Sequence, residues 1–148
     1  MGDLVSVRPT CEFYFDRGMQ AFERFHYEKA LTCLQRSKSL AKTKDDYIFV
    51  VCQLAICLES VGNYRGAVIA LEEIPSVNYQ THPELQYFLA TAYAFLGQMQ
   101  ESYQLAKAYL QSDDSDFEAE ATELLQELKL IKGKLALRTV RSLVNQFC

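Results

Sequence analysis

At 148 residues the chain is long enough for one domain with a substantial core and too short for two of ordinary size. With 49% hydrophobic and 23% charged residues it is not a disordered chain, and a net charge of −4 excludes a general nucleic-acid binder, which is usually basic. Six Gly and three Pro leave little loop-forming material, which favours helices joined by short turns over a multi-stranded β fold.

Residues 1–10, MGDLVSVRPT, read as an N-terminal tail. They hold no apolar signal core, so a cleaved secretion signal is not expected, and Met-Gly with Ser6 is a weak myristoylation match. Apolar residues then recur at helical spacing almost throughout. Tyr14, Met19, Ala21 and Phe22 predict a first helix from about Phe13 to Arg24. Tyr27, Ala30, Leu31, Leu34 and Leu40 predict a second. DDYIFVVCQLAICLES, residues 45–60, predicts a third, apolar on most sides and therefore buried. A fourth runs from about Tyr64 to Ile74 and is stopped by Pro75. For the fifth, residues 81–96, Thr81 is the expected N-cap and Glu84 completes a capping box, with Pro83 in the first turn. A sixth spans about Met99 to Gln111, and Ser115 with Glu118 predicts a capping box opening a seventh through Phe117, Ala121, Leu124, Leu125 and Leu128.

Three segments superpose without gaps: RFHYEKALTCL, VGNYRGAVIAL and LGQMQESYQLA. Tyr27, Tyr64 and Met99 share one column, Ala30, Ala67 and Ser102 a second, and Leu34, Leu71 and Ala106 a third. A period in the mid-thirties with two helices per unit is the sign of a helical solenoid. The pattern resembles the tetratricopeptide repeat (TPR) family: Tyr14, Gly18 and Ala30-x3-Leu34 in the first unit, Leu54-Ala55-x2-Leu58 and Ala67-x3-Leu71 in the second, Leu89-Ala90-x2-Tyr93 and Ser102-x3-Ala106 in the third. The family's closing Pro is missing from all three, and Phe25 stands where the first turn would hold Gly. The resemblance implies an all-α, right-handed TPR-like α-solenoid of three helix pairs. Its repeats would span about 11–44, 48–81 and 83–114. Residues 115–148 would follow as a capping helix with a basic amphipathic extension. Gly62 is expected at positive φ in its turn, with Ala67 packed where paired helices touch.

Nothing points to catalysis. The two histidines, His26 and His82, fall at helix junctions, where exposed or capping roles are expected. No HExxH, Cys/His cluster, EF-hand loop, GxSxG or phosphate-loop pattern is present, so no catalytic residue, metal or cofactor is expected. SDDSDFEAE reads as a negative bias at a helix start. The five Cys form no CxxC pair. They read as small thiols in a reducing compartment, which points to the cytoplasm or another reducing intracellular location.

What remains is a binding surface. By register with the TPR groove, the first unit offers Phe15, Met19 and Phe22, the second Phe49, Cys52, Ile56 and Glu59, the third Tyr87, Thr91 and Phe95, with Glu12, Glu23 and Glu84 as an acidic fringe. Some of these could instead pack against neighbouring helices. The set suits an apolar or basic-apolar protein segment. A TPR subset grips the C-terminal carboxylate of chaperones with cations. Here the corresponding positions hold Phe15, Met19, Gln53, Glu84 and Phe88, so that role is not expected. An adaptor, chaperone or assembly subunit is. The size and three-repeat plan are similar to type III secretion class II chaperones and equally to a terminal TPR segment of a large complex subunit.

Charge is unevenly placed. Residues 129–148 hold Lys129, Lys132, Lys134, Arg138 and Arg141 and no acid, leaving −9 for the rest. Val140, Leu143 and Phe147 form an apolar stripe there, with Arg138 and Arg141 off it, and Gly133 is a candidate bend. Three readings stay open: a long capping helix, a contact with a partner or a second copy in a homodimer, or an interfacial membrane anchor. No segment has the roughly 18 apolar residues of a membrane span.

Overall fold

The computed structural model describes the backbone of residues 8–147; beyond Lys134, side chains are described at Arg141 and Asn145. Among the described residues there are seven α-helices and no strand, so the chain is all-α. They are α1 (Cys11–Glu23), α2 (Tyr27–Leu40), α3 (Lys44–Ser60), α4 (Tyr64–Glu72), α5 (Glu84–Leu96), α6 (Met99–Leu110) and α7 (Glu118–Phe147). The chain divides after Ser76 into two compact units, α1–α4 in the first and α5–α7 in the second.

Three corners share one backbone solution. At each, a residue with left-handed φ ends a helix: Phe25 (62°), Gly62 (80°) and Gly97 (88°). The following N–H groups of His26, Asn63 and Gln98 reach five residues back to the carbonyls of Ala21, Leu58 and Tyr93, at 2.8, 2.9 and 2.9 Å. The left-handed residues themselves bond three back, to Phe22, Glu59 and Ala94. This is the Schellman arrangement, which satisfies carbonyls that a helix end leaves open. Asn63 then caps α4, its side chain accepting from the Gly66 N–H at 2.9 Å.

The first unit closes over small residues. Gly18 lies so near α2 that an added Cβ would meet Leu34 Cγ at 3.0 Å. Ala30, Ala55 and Ala67 are fully buried, and Ala21, Ala30, Leu34, Leu54 and Cys57 form a core on which Phe15, Phe22, Tyr27, Leu31 and Leu58 pack. Thr10 and Thr43 cap α1 and α3 through their hydroxyls, accepting from Phe13 and Asp46 N–H at 3.1 Å each. In the second unit Ser102 takes the place of the small Ala; it stays fully buried because its hydroxyl donates to the Ala90 carbonyl at 2.6 Å.

Two helix starts differ from expectation. Thr81 does not cap α5: Pro83 occupies the N-cap position, and His82 N–H bonds back to Asn78. That places Thr81 inside a preceding turn, too early to reach the first helical N–H groups. α7 begins at Glu118, and Ser115 closes the turn through its main-chain carbonyl, which accepts from Glu118 N–H at 3.3 Å. The helix continues across Gly133 without a break.

Candidate partner-binding surface

In the first unit α1 and α3 approach one another through Phe15 and Phe49, whose ring centroids are 5.1 Å apart. Phe15 is half-buried, whereas Phe49 is 56% exposed. A groove forms around them, lined by Cys11, Glu12, Asp16, Asp46 and Val50 as well as the two rings. Its floor is apolar and its rim carries three carboxylates; among the described residues no cation lines it. Sequence register supplied Phe15, Phe49 and Glu12 but missed Asp16 and Asp46. The signal was there in the helical offsets: Glu12 and Asp16 are four apart and flank Phe15 on one face, and Asp46 precedes Phe49 by three.

The remaining first-unit candidates are placed as follows. Met19 and Ile56 are half-buried, and Phe22 leans on the core with its ring 5.5 Å from Tyr27. Cys52 is 4% exposed and offers a partner no usable surface. Glu59, near the end of α3, is half-buried, and burial alone pushes its carboxyl from the ordinary 4.5 up to about 7.

In the second unit Phe95 is 51% exposed, and Thr91 is half-buried with its hydroxyl donating to the Tyr87 carbonyl at 3.1 Å. Tyr87 is committed to an aromatic cluster that sequence reasoning did not find. Its ring lies 4.7 Å from Phe117, 5.4 Å from Phe88 and 5.9 Å from Tyr109. Tyr109 is fully buried. Its hydroxyl donates to Asp114 Oδ2 at 2.6 Å and accepts from Phe117 N–H at 2.8 Å, tying α6 to the start of α7. Burial, with Asp114 accepting the phenol proton, pushes its ionisation well above the usual tyrosine range. The SDDSDFEAE stretch is thus a structural latch as well as a charge bias.

Over 128 residues, 86% of its length, the chain is 30% identical to "TPR repeat-containing protein YvcD" of Bacillus subtilis (strain 168). The chain spans 26% of the length of that curated relative. No family model matches the chain. The match agrees with the resemblance read from the repeat columns.

Among the described residues no group of three or more His, Cys, Asp or Glu is placed to hold a metal ion. His82 Nδ1 meets Glu84 Oε1 at 2.8 Å, a local pair at the α5 start. No described helix is long and apolar enough to cross a membrane. Of the tail residues singled out in the sequence, Arg141 is exposed, and the side chains of Arg138, Val140, Leu143 and Phe147 lie outside the described residues.

Proposed function

We propose that this chain is a TPR-type module, a right-handed solenoid of three helix pairs with a capping helix, whose function is to bind protein rather than to catalyse. The observation that carries this reading is the Phe15–Phe49 pair: a large ring displayed to solvent at 56% exposure, on an apolar floor with an acidic rim. An exposed aromatic anchor inside a polar fringe is the composition of an interface centre. The similarity to a TPR repeat-containing protein supports the same reading. The partner's chemistry follows from the rim: an apolar segment bearing Lys or Arg, as an adaptor, chaperone or assembly subunit would receive. A reducing intracellular compartment, the cytoplasm in the first instance, suits the thiols of Cys11, Cys33 and Cys57. An interfacial anchor, the alternative role for the basic C-terminal segment, has that segment's charge and apolar sequence pattern in its favour.

The test uses the two exposed rings. The tagged chain and its Phe49→Ser/Phe95→Ser variant are compared as baits in the source cell's lysate. Neither ring is a core residue, so thermal melting should stay the same while the captured proteins change. Identical captured sets would remove the groove from the function.

A further inference from the structure

The groove and the C-terminal segment are chemically matched. Among the described residues no cation lines the groove's rim of Glu12, Asp16 and Asp46, and its floor leaves Phe49 open to solvent. Leu128 is buried, but from Lys129 onward every described side chain is exposed: Lys129, Leu130 at 66%, Ile131, Lys132, Lys134, Arg141 and Asn145. Residues 129–148 hold five cations and no acid, interleaved with apolar residues, while the rest of the chain carries −9. A helix that continues well past its last buried described residue, with that charge, presents what the groove lacks.

We infer that the acid-rimmed aromatic groove between α1 and α3 receives the basic C-terminal segment of a second copy of this chain. This deepens the binding-module reading and rests on it, naming one partner as the protein itself. Cations of the segment pair with Asp16, Asp46 and Glu12 while an adjacent apolar side chain covers Phe49. The carboxylates steer the encounter and set its register, and the covered ring supplies burial. Reciprocal exchange gives each groove one segment and closes the pair as a dimer, whereas one-way exchange would string copies into open chains.

Sedimentation equilibrium of the full chain under reducing conditions, over a wide concentration range, tests this. The probe is a synthetic peptide of residues 129–147, which omits Cys148 so that disulfide exchange cannot imitate binding. The mass should rise toward that of a dimer with concentration, and the peptide should return it to monomer. Asp16→Asn/Asp46→Asn should weaken dimerisation about fivefold or more, and high salt should weaken it likewise. Glu101→Gln/Glu120→Gln, which removes two exposed acids of the second unit, should leave it unchanged. If Asp16→Asn/Asp46→Asn lowers the melting temperature, Phe49→Ser replaces it. A monomer at every concentration overturns the inference, whether or not the peptide binds. So does a dimer that ignores both the groove substitutions and the peptide. Either result leaves the binding-module reading standing if Phe49→Ser/Phe95→Ser still changes what the chain captures.

Discussion

In the first unit, helices meet over residues that are almost nothing but backbone: Gly18 against Leu34, with Ala30, Ala55 and Ala67 fully buried. The second unit keeps that plan where α5 meets α6, through Ala90 and Ser102, but joins α5 and α6 to the segment that opens α7 with rings and hydrogen bonds: Tyr87, Phe88, Tyr109, Phe117 and Asp114. A small-residue seam works by close approach, so it tolerates no added volume. An aromatic latch works by filling space and satisfying a phenol, so it tolerates no loss. The two seams should therefore fail under opposite substitutions.

The largest effect belongs to the latch. Tyr109→Ala removes a fully buried ring and strips Asp114 and the Phe117 N–H of their partner, and should cost about 3–5 kcal/mol in urea melts. Tyr109→Phe, which keeps the ring and loses the hydroxyl, should cost about 1–2 kcal/mol. Equal losses from both would show that packing is irrelevant to the latch. The reverse experiment addresses the seam: Ala67→Leu should overpack the first unit and cost about 1–3 kcal/mol, and an unchanged melting curve would contradict the close approach described for it.

How much of this was legible in the sequence follows from the same contrast. A steric requirement that recurs at each helix pair leaves a recurring mark, so the columns Ala30, Ala67, Ser102 and Leu34, Leu71, Ala106 were readable, and every one of these residues is buried. The latch occurs once. Tyr109 sits five residues before Asp114 and eight before Phe117, across a helix end, and no periodicity links them. Cys52 failed for a different reason. α3 buries Ile48, Val50, Val51, Cys52, Leu54, Ala55 and Cys57, more than one face of the helix, so a register could not tell groove from core. Asp16 and Asp46 were passed over because an acid on a helix surface is ordinary until a second helix brings an exposed ring beside it.

The corners sharpen the comparison at the smallest scale. Gly62 and Phe25 hold equivalent left-handed positions, and an added Cβ at Gly62 would meet nothing within 4 Å. Gly62→Ala therefore isolates the backbone penalty and should cost about 1 kcal/mol. Phe25 bears that penalty already while 75% exposed, so Phe25→Gly should recover stability up to about the same amount. Thermal melts of the two single variants decide it: shifts of the same sign would mean that the corners are not equivalent.

Glu59 has a consequence outside packing altogether. Burial lifts its carboxyl from 4.5 to about 7, so near neutrality the unfolded chain ionises it nearly completely while the folded chain holds its proton more tightly. Its contribution to stability is whole below about pH 4.5 and is lost as pH rises through about 7. Folding near neutral pH thus takes up protons through this one side chain, and acidification between about pH 7 and 4.5 favours the folded state.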